Sequence, residues 1–153
     1  MIKCAFENGH KTSLRHVVVD AILINNRKIL LIKRAAHLSN GSKWAIPGGF
    51  LDRDETCEQA VLRELKEETG LSGKIVKLFK IIDNPKRKNE DRQNVTFIYH
   101  IKASGKIKVD PKEVTEAKWF DINILPKQED FAFDHFEIIQ EFLSKKVLSK
   151  ASA

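Results

Sequence analysis

Runs of apolar and β-branched residues recur along the chain, separated by polar segments that carry turn-forming residues. Such runs are typical of β-strands. The pattern predicts strands at residues 16–24, 28–34, 74–82, 94–103 and 114–120. Asn25 and Asn26 lie between the first two runs and indicate a hairpin or two adjacent strands. A shorter apolar piece, Trp44 to Ile46, stops at the sequence Pro47-Gly48-Gly49.

Two segments have the periodicity of helices. In residues 56–69, Thr56 precedes Gln59 by three positions, which is the spacing of a capping box, and Gly70 can end the helix in a left-handed conformation. The apolar residues of this segment recur at helical spacing, at Cys57, Val61, Leu62 and Leu65. Residues 131–146 form a second amphipathic pattern. Strands mixed with two helices predict an α/β fold, with a mixed sheet between helical layers.

Length and composition indicate one domain. The chain has 153 residues, of which 42% are hydrophobic and 31% are charged, as in globular proteins. We expect a single domain over residues 15–146 and a tail over residues 147–153. Residues 1–14 are predicted to be an N-terminal arm or a first strand.

The charge and the cysteines limit the choice of partners and compartment. The net charge of +6 is compatible with nucleic acid or with phosphorylated substrates, but the cations are scattered, so no nucleic-acid partner is expected. The two cysteines lack a CxxC spacing, and no run is long and apolar enough for a signal peptide or membrane span. We therefore expect a cytoplasmic protein without a membrane partner. The sequence is compatible with a homodimer.

Three glutamates stand at positions i, i+3 and i+4 of the first predicted helix: Glu64, Glu67 and Glu68. Side chains at this spacing share one helix face. Clustered carboxylates are the hard oxygen ligands that Mg²⁺ or Mn²⁺ prefers. A helix with the sequence RELKEE is by itself more often a solvated face, so the surrounding sequence has to decide between the two interpretations.

That surrounding sequence resembles the signature of the Nudix family. Residues Gly49 to Leu71 fit the pattern G-x5-E-x7-R-E-U-x-E-E-x-G-U, where U is apolar, and every fixed position is occupied. The resemblance implies the Nudix α/β/α sandwich. It also implies an enzyme that uses water to cleave a nucleoside diphosphate linked to another group, X, giving a nucleoside monophosphate and phosphorylated X.

The resemblance further implies roles for individual residues. Glu64, Glu67 and Glu68 would bind Mg²⁺, or Mn²⁺ in its place, with help from a backbone carbonyl of Gly48 or Gly49. Arg63 would orient the carboxylates, and Glu55 would be the salt-bridge partner of Arg63. A general base is also needed. Both Glu64 and Glu113, a glutamate before the last predicted strand, are candidates for it.

Weaker features concern the substrate. Pro85 lies fifteen residues after Gly70, a placement that resembles the ADP-ribose pyrophosphatase subgroup, as do residues 83–92 and 131–135. Arg34 could bind phosphates and Trp44 could stack on a base. Phe50, which follows the two glycines, is a further candidate contact.

The substrate prediction is therefore ADP-ribose or a similar nucleoside diphosphate sugar. Two alternatives stay open, namely a (d)NTP pyrophosphohydrolase that removes damaged nucleotides and a non-catalytic ADP-ribose-sensing domain. The complete carboxylate set favours an enzyme over a sensor. Several of the substrate features also have a plain structural interpretation. His135 is more often a packing residue than a base, and the basic run 86–88 is first a solvated loop.

Overall fold

A seven-stranded mixed sheet forms the centre of the computed structural model, which describes residues 1–87 and 92–151. The strands are β1 (Ile2–Ala5), β2 (Lys11–Leu14), β3 (Val17–Asn25), β4 (Lys28–Arg34), β5 (Trp44–Ala45), β6 (Gly48–Phe50), β7 (Ser72–Ile82), β8 (Val95–Ser104) and β9 (Val114–Asp121). The helices are α1 (Cys57–Thr69) and α2 (His135–Ala151), with a 3₁₀ turn at Gln128–Asp130. Strands β1 and β2 form a separate antiparallel hairpin.

The arrangement of strands around β3 creates the space for a site. The main sheet has the order β5-β4-β3-β8-β7, and β3 is parallel to β8. Near the hairpin turn β3 pairs with β4, at Ile24↔Ile29. In its first half β3 pairs instead with β6, which places Gly48 opposite Asp20. The predicted adjacency of β3 and β4 is confirmed. The short strand β6 places the Gly-Gly segment beside β3.

The sheet lies between the two helices, as an α/β/α sandwich requires. Successive side chains of a strand point to opposite faces. On β3, Val19, Ala21 and Leu23 belong to a buried cluster that includes Val61 and Leu65 of α1. Ile22 belongs to a second cluster, which includes Ile138, Ile139 and Phe142 of α2. The predicted fold class is confirmed.

Helix α1 has the predicted ends. The N–H of Gln59 donates to the Thr56 hydroxyl at 3.2 Å, and the N–H of Thr56 donates to the Gln59 side chain at 2.8 Å. Gly70 has a φ of 73° and its N–H donates to the Lys66 carbonyl. These caps fix the first and last turns of the helix that carries the glutamates.

The predicted bounds of the last helix were wrong. The helix begins at His135 rather than at residue 131, because Phe131 forms a β-bridge with Trp44 and Phe133 has a φ of 54°, which a helix does not allow. It continues to Ala151, so residues 147–151 of the predicted tail are helical. Residues 152–153 lie outside the described part of the chain. Neither helix described here is long and apolar enough to cross a membrane.

Candidate active site

A cavity of about 470 Å³ opens beside the first half of β3. Its walls come from β3, the end of β4, the Gly-Gly segment, α1, the start of β8 and the residues before α2. Of the predicted site residues it brings together Arg34, Gly48, Gly49, Phe50, Glu64, Glu68 and Glu113. Pockets for small molecules commonly have a volume in this range.

Two of the three helix glutamates face the cavity. Glu64 and Glu68 are one turn apart on α1, both are buried, and burial raises the pKa of each carboxyl. Glu68 is held toward the glycines, since the N–H of Gly48 donates to its carboxylate at 2.9 Å. The Glu67 side chain is 56% exposed and pairs with Arg63. The three glutamates therefore do not contribute equally to the cavity wall.

The Gly-Gly segment approaches these carboxylates closely. A Cβ atom added to Gly49 would lie 2.4 Å from the carboxyl carbon of Glu64. A Cβ atom added to Gly48 would lie 2.2 Å from the Val19 carbonyl oxygen and 2.4 Å from the Asp20 carboxylate. All three distances are far below van der Waals contact, so a side chain at either position would displace its neighbours.

Arg63 connects the carboxylates to the start of the helix. Its guanidinium donates two hydrogen bonds to Glu55, at 2.7 and 3.1 Å. It also donates to Glu64 at 2.8 Å, to Glu67 at 3.1 Å and to the Phe50 carbonyl at 3.0 Å. The hydrogen bonds from Arg63 lower the pKa of Glu55, and those to Glu55 raise the pKa of Arg63. This geometry suits the orienting role predicted for Arg63, with Glu55 as its partner.

The oxygen atoms at this site suit a hard divalent cation. Within residues 1–87 and 92–151, no three His, Cys, Asp or Glu side chains converge as a ready-made metal site. Arg63 holds Glu64 and Glu67, and Gly48 holds Glu68. Burial nevertheless raises the pKa of Glu64 and Glu68, which means that their negative charges are costly in this environment. A cation bound among them would offset that cost.

Sequence reasoning missed Asp20. It lies in the middle of the apolar run of β3, is only 7% exposed and lines the cavity. Burial raises the pKa of its carboxyl to about 7. A single charged residue inside the apolar sequence HVVVDAILI was a usable signal, because charged side chains are rarely buried without a specific purpose.

His135 lines the cavity next to Asp20 and is buried. The N–H of Ile46 donates to its Nδ1 atom at 3.2 Å, and its Nε2 atom is 3.8 Å from the Asp20 carboxylate. Burial lowers the pKa of His135 to about 3, so the imidazole is neutral. The residue is well packed, as the sequence predicts, and it also lines the cavity.

Arg34, Phe50 and Glu113 are the other predicted site residues that line the cavity, and they differ in how exposed they are. Burial lowers the pKa of Arg34, whose Nε donates to the Ser39 carbonyl at 3.0 Å and whose guanidinium carbon lies 5.3 Å from the centre of the Phe133 ring. Phe50 is 40% exposed. Glu113 is exposed, and its carbonyl accepts the N–H of Ala35 at 2.8 Å, which fixes the backbone of Glu113 beside β4.

Two predicted substrate contacts lie elsewhere. Trp44 packs edge-on against Phe120, with the ring centres 4.8 Å apart, and is partly buried against the core cluster beneath α2. Trp44 is not among the described residues that line the cavity. Pro85 is exposed in a turn, where the Asn84 side chain accepts the N–H of Lys86 at 2.9 Å.

The basic run 86–88 is not simply solvated. The side chain of Arg87 is 6% exposed and its guanidinium donates two hydrogen bonds of 2.6 Å to Asp134. A third goes to the Thr96 hydroxyl at 2.5 Å. Arg87 was predicted as part of a loop surface, and the fold instead buries it against the residues that precede α2. Lys88 and Asp91, also named in the sequence patterns, lie outside the described residues.

Comparison with known proteins identifies the family to which the chain belongs. A NUDIX domain model matches residues 14–142. An ADP-ribose pyrophosphatase from Methanocaldococcus jannaschii is 40% identical over 131 residues, which are 85% of this chain and 74% of that protein. The chain belongs to the Nudix hydrolase family.

Solved structures show the same fold. The crystal structure of a MutT NUDIX hydrolase from Burkholderia pseudomallei has a TM-score of 0.72 and 27% identity, over 84% of this chain and 98% of that one. A bifunctional NMN adenylyltransferase/ADP ribose pyrophosphatase from Francisella tularensis, in complex with AMP and a Mn ion, has a TM-score of 0.67 and 27% identity. The match covers 88% of this chain and 42% of that one.

Proposed function

We propose that this chain is a divalent-metal-dependent pyrophosphohydrolase whose substrate is ADP-ribose or a similar nucleoside diphosphate sugar. ADP-ribose would yield AMP and ribose 5-phosphate. The observation that carries the proposal is the pair of buried carboxylates, Glu64 and Glu68, that faces the same cavity as the cation Arg34. The likeness to an ADP-ribose pyrophosphatase at 40% identity supports the choice of substrate.

Mg²⁺ or Mn²⁺ would be held by Glu64, Glu67 and Glu68, together with a carbonyl of Gly48 or Gly49. When bound, such a cation neutralises the diphosphate and lowers the pKa of a coordinated water. Arg63 donates hydrogen bonds to Glu64 and Glu67, so it can hold both carboxylates in a fixed orientation.

Two glutamates can act as the general base. The attacking water loses a proton to the base, its oxygen forms a bond to one phosphorus, and the bridging phosphorus–oxygen bond breaks to release the second phosphate with X. Glu64 and Glu113 both line the cavity. Arg34 lines it too and can bind a phosphate through its guanidinium.

The base assignment is tested by comparing Glu64→Gln with Glu113→Gln. The variant that lacks the base should lose at least about a hundredfold in kcat, because general base catalysis contributes on the order of 10²–10⁴-fold. Glu116→Gln is the matched control, since Glu116 is exposed on β9 and lies outside the residues that line the cavity. Equal and small losses in all three variants would exclude both glutamates as the base.

The substrate is tested by incubating the protein with Mg²⁺ or Mn²⁺ and a panel of diphosphates. The panel contains ADP-ribose, nucleoside diphosphate sugars, NADH, dinucleoside polyphosphates and oxidised dNTPs. We expect the highest kcat/KM with ADP-ribose and AMP as a product. Preference for oxidised dNTPs would support the alternative of removing damaged nucleotides. Binding of ADP-ribose without hydrolysis of any compound would support a sensing domain and exclude the enzyme.

A further inference from the structure

Two buried polar side chains on the inner wall of the cavity have no part in the chemistry described above. Asp20 is 7% exposed and His135 is 5% exposed, and both line the cavity. Asp20 is also close to the Gly-Gly segment, because β6 pairs Gly48 with it. Asp20 therefore lies beside the glycine that donates to the Glu68 carboxylate, and His135 lies next to Asp20.

The hydrogen bonds of His135 determine which nitrogen faces Asp20 as a donor. Because Nδ1 accepts the N–H of Ile46, the hydrogen of the neutral ring is on Nε2. The Nε2 atom is 3.8 Å from the Asp20 carboxylate, which is too long for a hydrogen bond. Within residues 1–87 and 92–151, the Nε2 hydrogen and the Asp20 oxygens have no hydrogen-bond partner. One donor and one acceptor thus lie side by side at the cavity wall.

A hydroxyl group matches this pair. A single hydroxyl oxygen can donate to Asp20 and accept from His135 at about 2.8 Å from each, a normal hydrogen-bond length. A phosphate oxygen would be repelled by the ionised Asp20 carboxylate, which predominates above its pKa of about 7. A sugar attached to the diphosphate carries hydroxyls close to the cleaved bond, so it can reach this wall while the phosphates lie against the α1 carboxylates.

We propose that Asp20 and His135 form a subsite that binds a ribose hydroxyl of the substrate and so selects for a ribose beside the diphosphate. Asp20 accepts the hydroxyl hydrogen, and the Nε2–H group of His135 donates to the hydroxyl oxygen. The subsite rests on the proposed function, because it requires a diphosphate that is linked to a sugar. It adds two residues outside the Nudix signature that determine substrate specificity.

The test compares ADP-ribose with two analogues, 2′-deoxy-ADP-ribose and ADP-2-deoxyribose, which remove a hydroxyl from the nucleoside ribose and from the terminal ribose. Dissociation constants are measured by calorimetry in EDTA, and kcat/KM is measured with Mg²⁺. Wild type should prefer ADP-ribose over one of the analogues by about 10- to 100-fold, as expected for a hydrogen bond to a charged group. Asp20→Asn should reduce that preference to about threefold or less.

Three further variants separate recognition from folding. His135→Gln keeps an acceptor for Ile46 and a donor toward Asp20, so it should retain most of the preference, whereas His135→Phe should lose it. His100→Gln is the control, because His100 packs against Phe142, with ring centres 5.0 Å apart, outside the cavity lining. Urea unfolding verifies that each variant is folded.

The outcomes distinguish failure of the subsite from failure of the proposed function. Hydrolysis of ADP-ribose and both analogues with equal kcat/KM, or an unchanged preference in Asp20→Asn, overturns the subsite and leaves the reaction intact. Hydrolysis of oxidised dNTPs but not of ADP-ribose overturns the proposed substrate and the subsite with it. A preference lost in His135→Phe and restored in His135→Gln supports the subsite.

Discussion

Gly49 offers a sharp test of whether the position of Glu64 matters for catalysis. An alanine at this position would bring its Cβ to 2.4 Å from the Glu64 carboxyl carbon and to 2.4 Å from one carboxylate oxygen. Contact between carbon atoms is normally about 3.5 Å, so the carboxylate has to move by roughly 1 Å. The three nearest atoms all belong to the end of a flexible side chain. The substitution should therefore displace Glu64 and leave the backbone in place.

The two consequences of Gly49→Ala have different magnitudes. A 1 Å error in a catalytic group can cost about a hundredfold in rate, so kcat/KM for ADP-ribose should fall by roughly that factor. The φ of Gly49 is not in the left-handed region, and alanine at a compatible position stabilises a protein by about 0.4–1 kcal/mol. The free energy of unfolding should accordingly change by less than about 1 kcal/mol.

Gly48→Ala is the matched comparison. Its Cβ would lie 2.2 Å from the Val19 carbonyl oxygen and 2.9 Å from the Asp20 Cα atom, both of which are backbone atoms. Overpacking against backbone typically costs about 1–3 kcal/mol, and this variant should lose that stability in urea unfolding. If Gly49→Ala retained activity within about threefold of wild type while folded, the reasoning that Glu64 acts from its present position would be refuted.

Three other predictions follow from particular groups. Folding raises the pKa of Asp20 from 3.8 to about 7. The protonated carboxyl therefore adds to the free energy of unfolding at low pH, and this stabilisation is lost as the pH rises through that range. In metal-free buffer the unfolding free energy of wild type relative to Asp20→Asn should thus fall by about 4 kcal/mol between pH 4 and pH 8, and parallel pH curves would contradict this. Mg²⁺ or Mn²⁺ at a hundred times its dissociation constant should raise the unfolding free energy of wild type by about 2.7 kcal/mol, and by clearly less in Glu68→Gln, as measured by thermal unfolding. Thr56→Ala removes the cap of α1 and should cost about 1 kcal/mol in urea unfolding with kcat unchanged; a loss of kcat in the folded variant would place Thr56 in the site.

Much of the secondary structure could be predicted because it depends on local patterns. The strand predicted at 28–34 has those bounds, and the helix predicted at 56–69 begins and ends at its predicted caps. The last helix was misplaced at Phe131 and Phe133. These residues continue a helical apolar pattern, and the backbone at Phe131 pairs instead with Trp44, which is distant in the sequence.

The residues of the site also divide into those that local sequence patterns predict and those that only distant contacts bring together. The spacing of Glu55, Arg63 and Glu64 is predictable because two of them lie on α1 and Glu55 lies just before its N-cap, and the Arg63 guanidinium joins all three. Asp20 and His135 come from opposite ends of the chain, and sheet pairing and helix packing bring them together. Nothing local in the sequence indicates that contact.

The sequence by itself predicted the Nudix hydrolase family, because the pattern that identifies it lies within one short segment, Gly49 to Leu71. The tertiary structure decided which side chains of this segment face a common cavity and which other groups join them. It buried Glu64 and Glu68, left Glu67 exposed and packed the partly buried Trp44 against the core. These outcomes depend on strand register and on the packing of α2 against the sheet, which are set by contacts between distant parts of the chain.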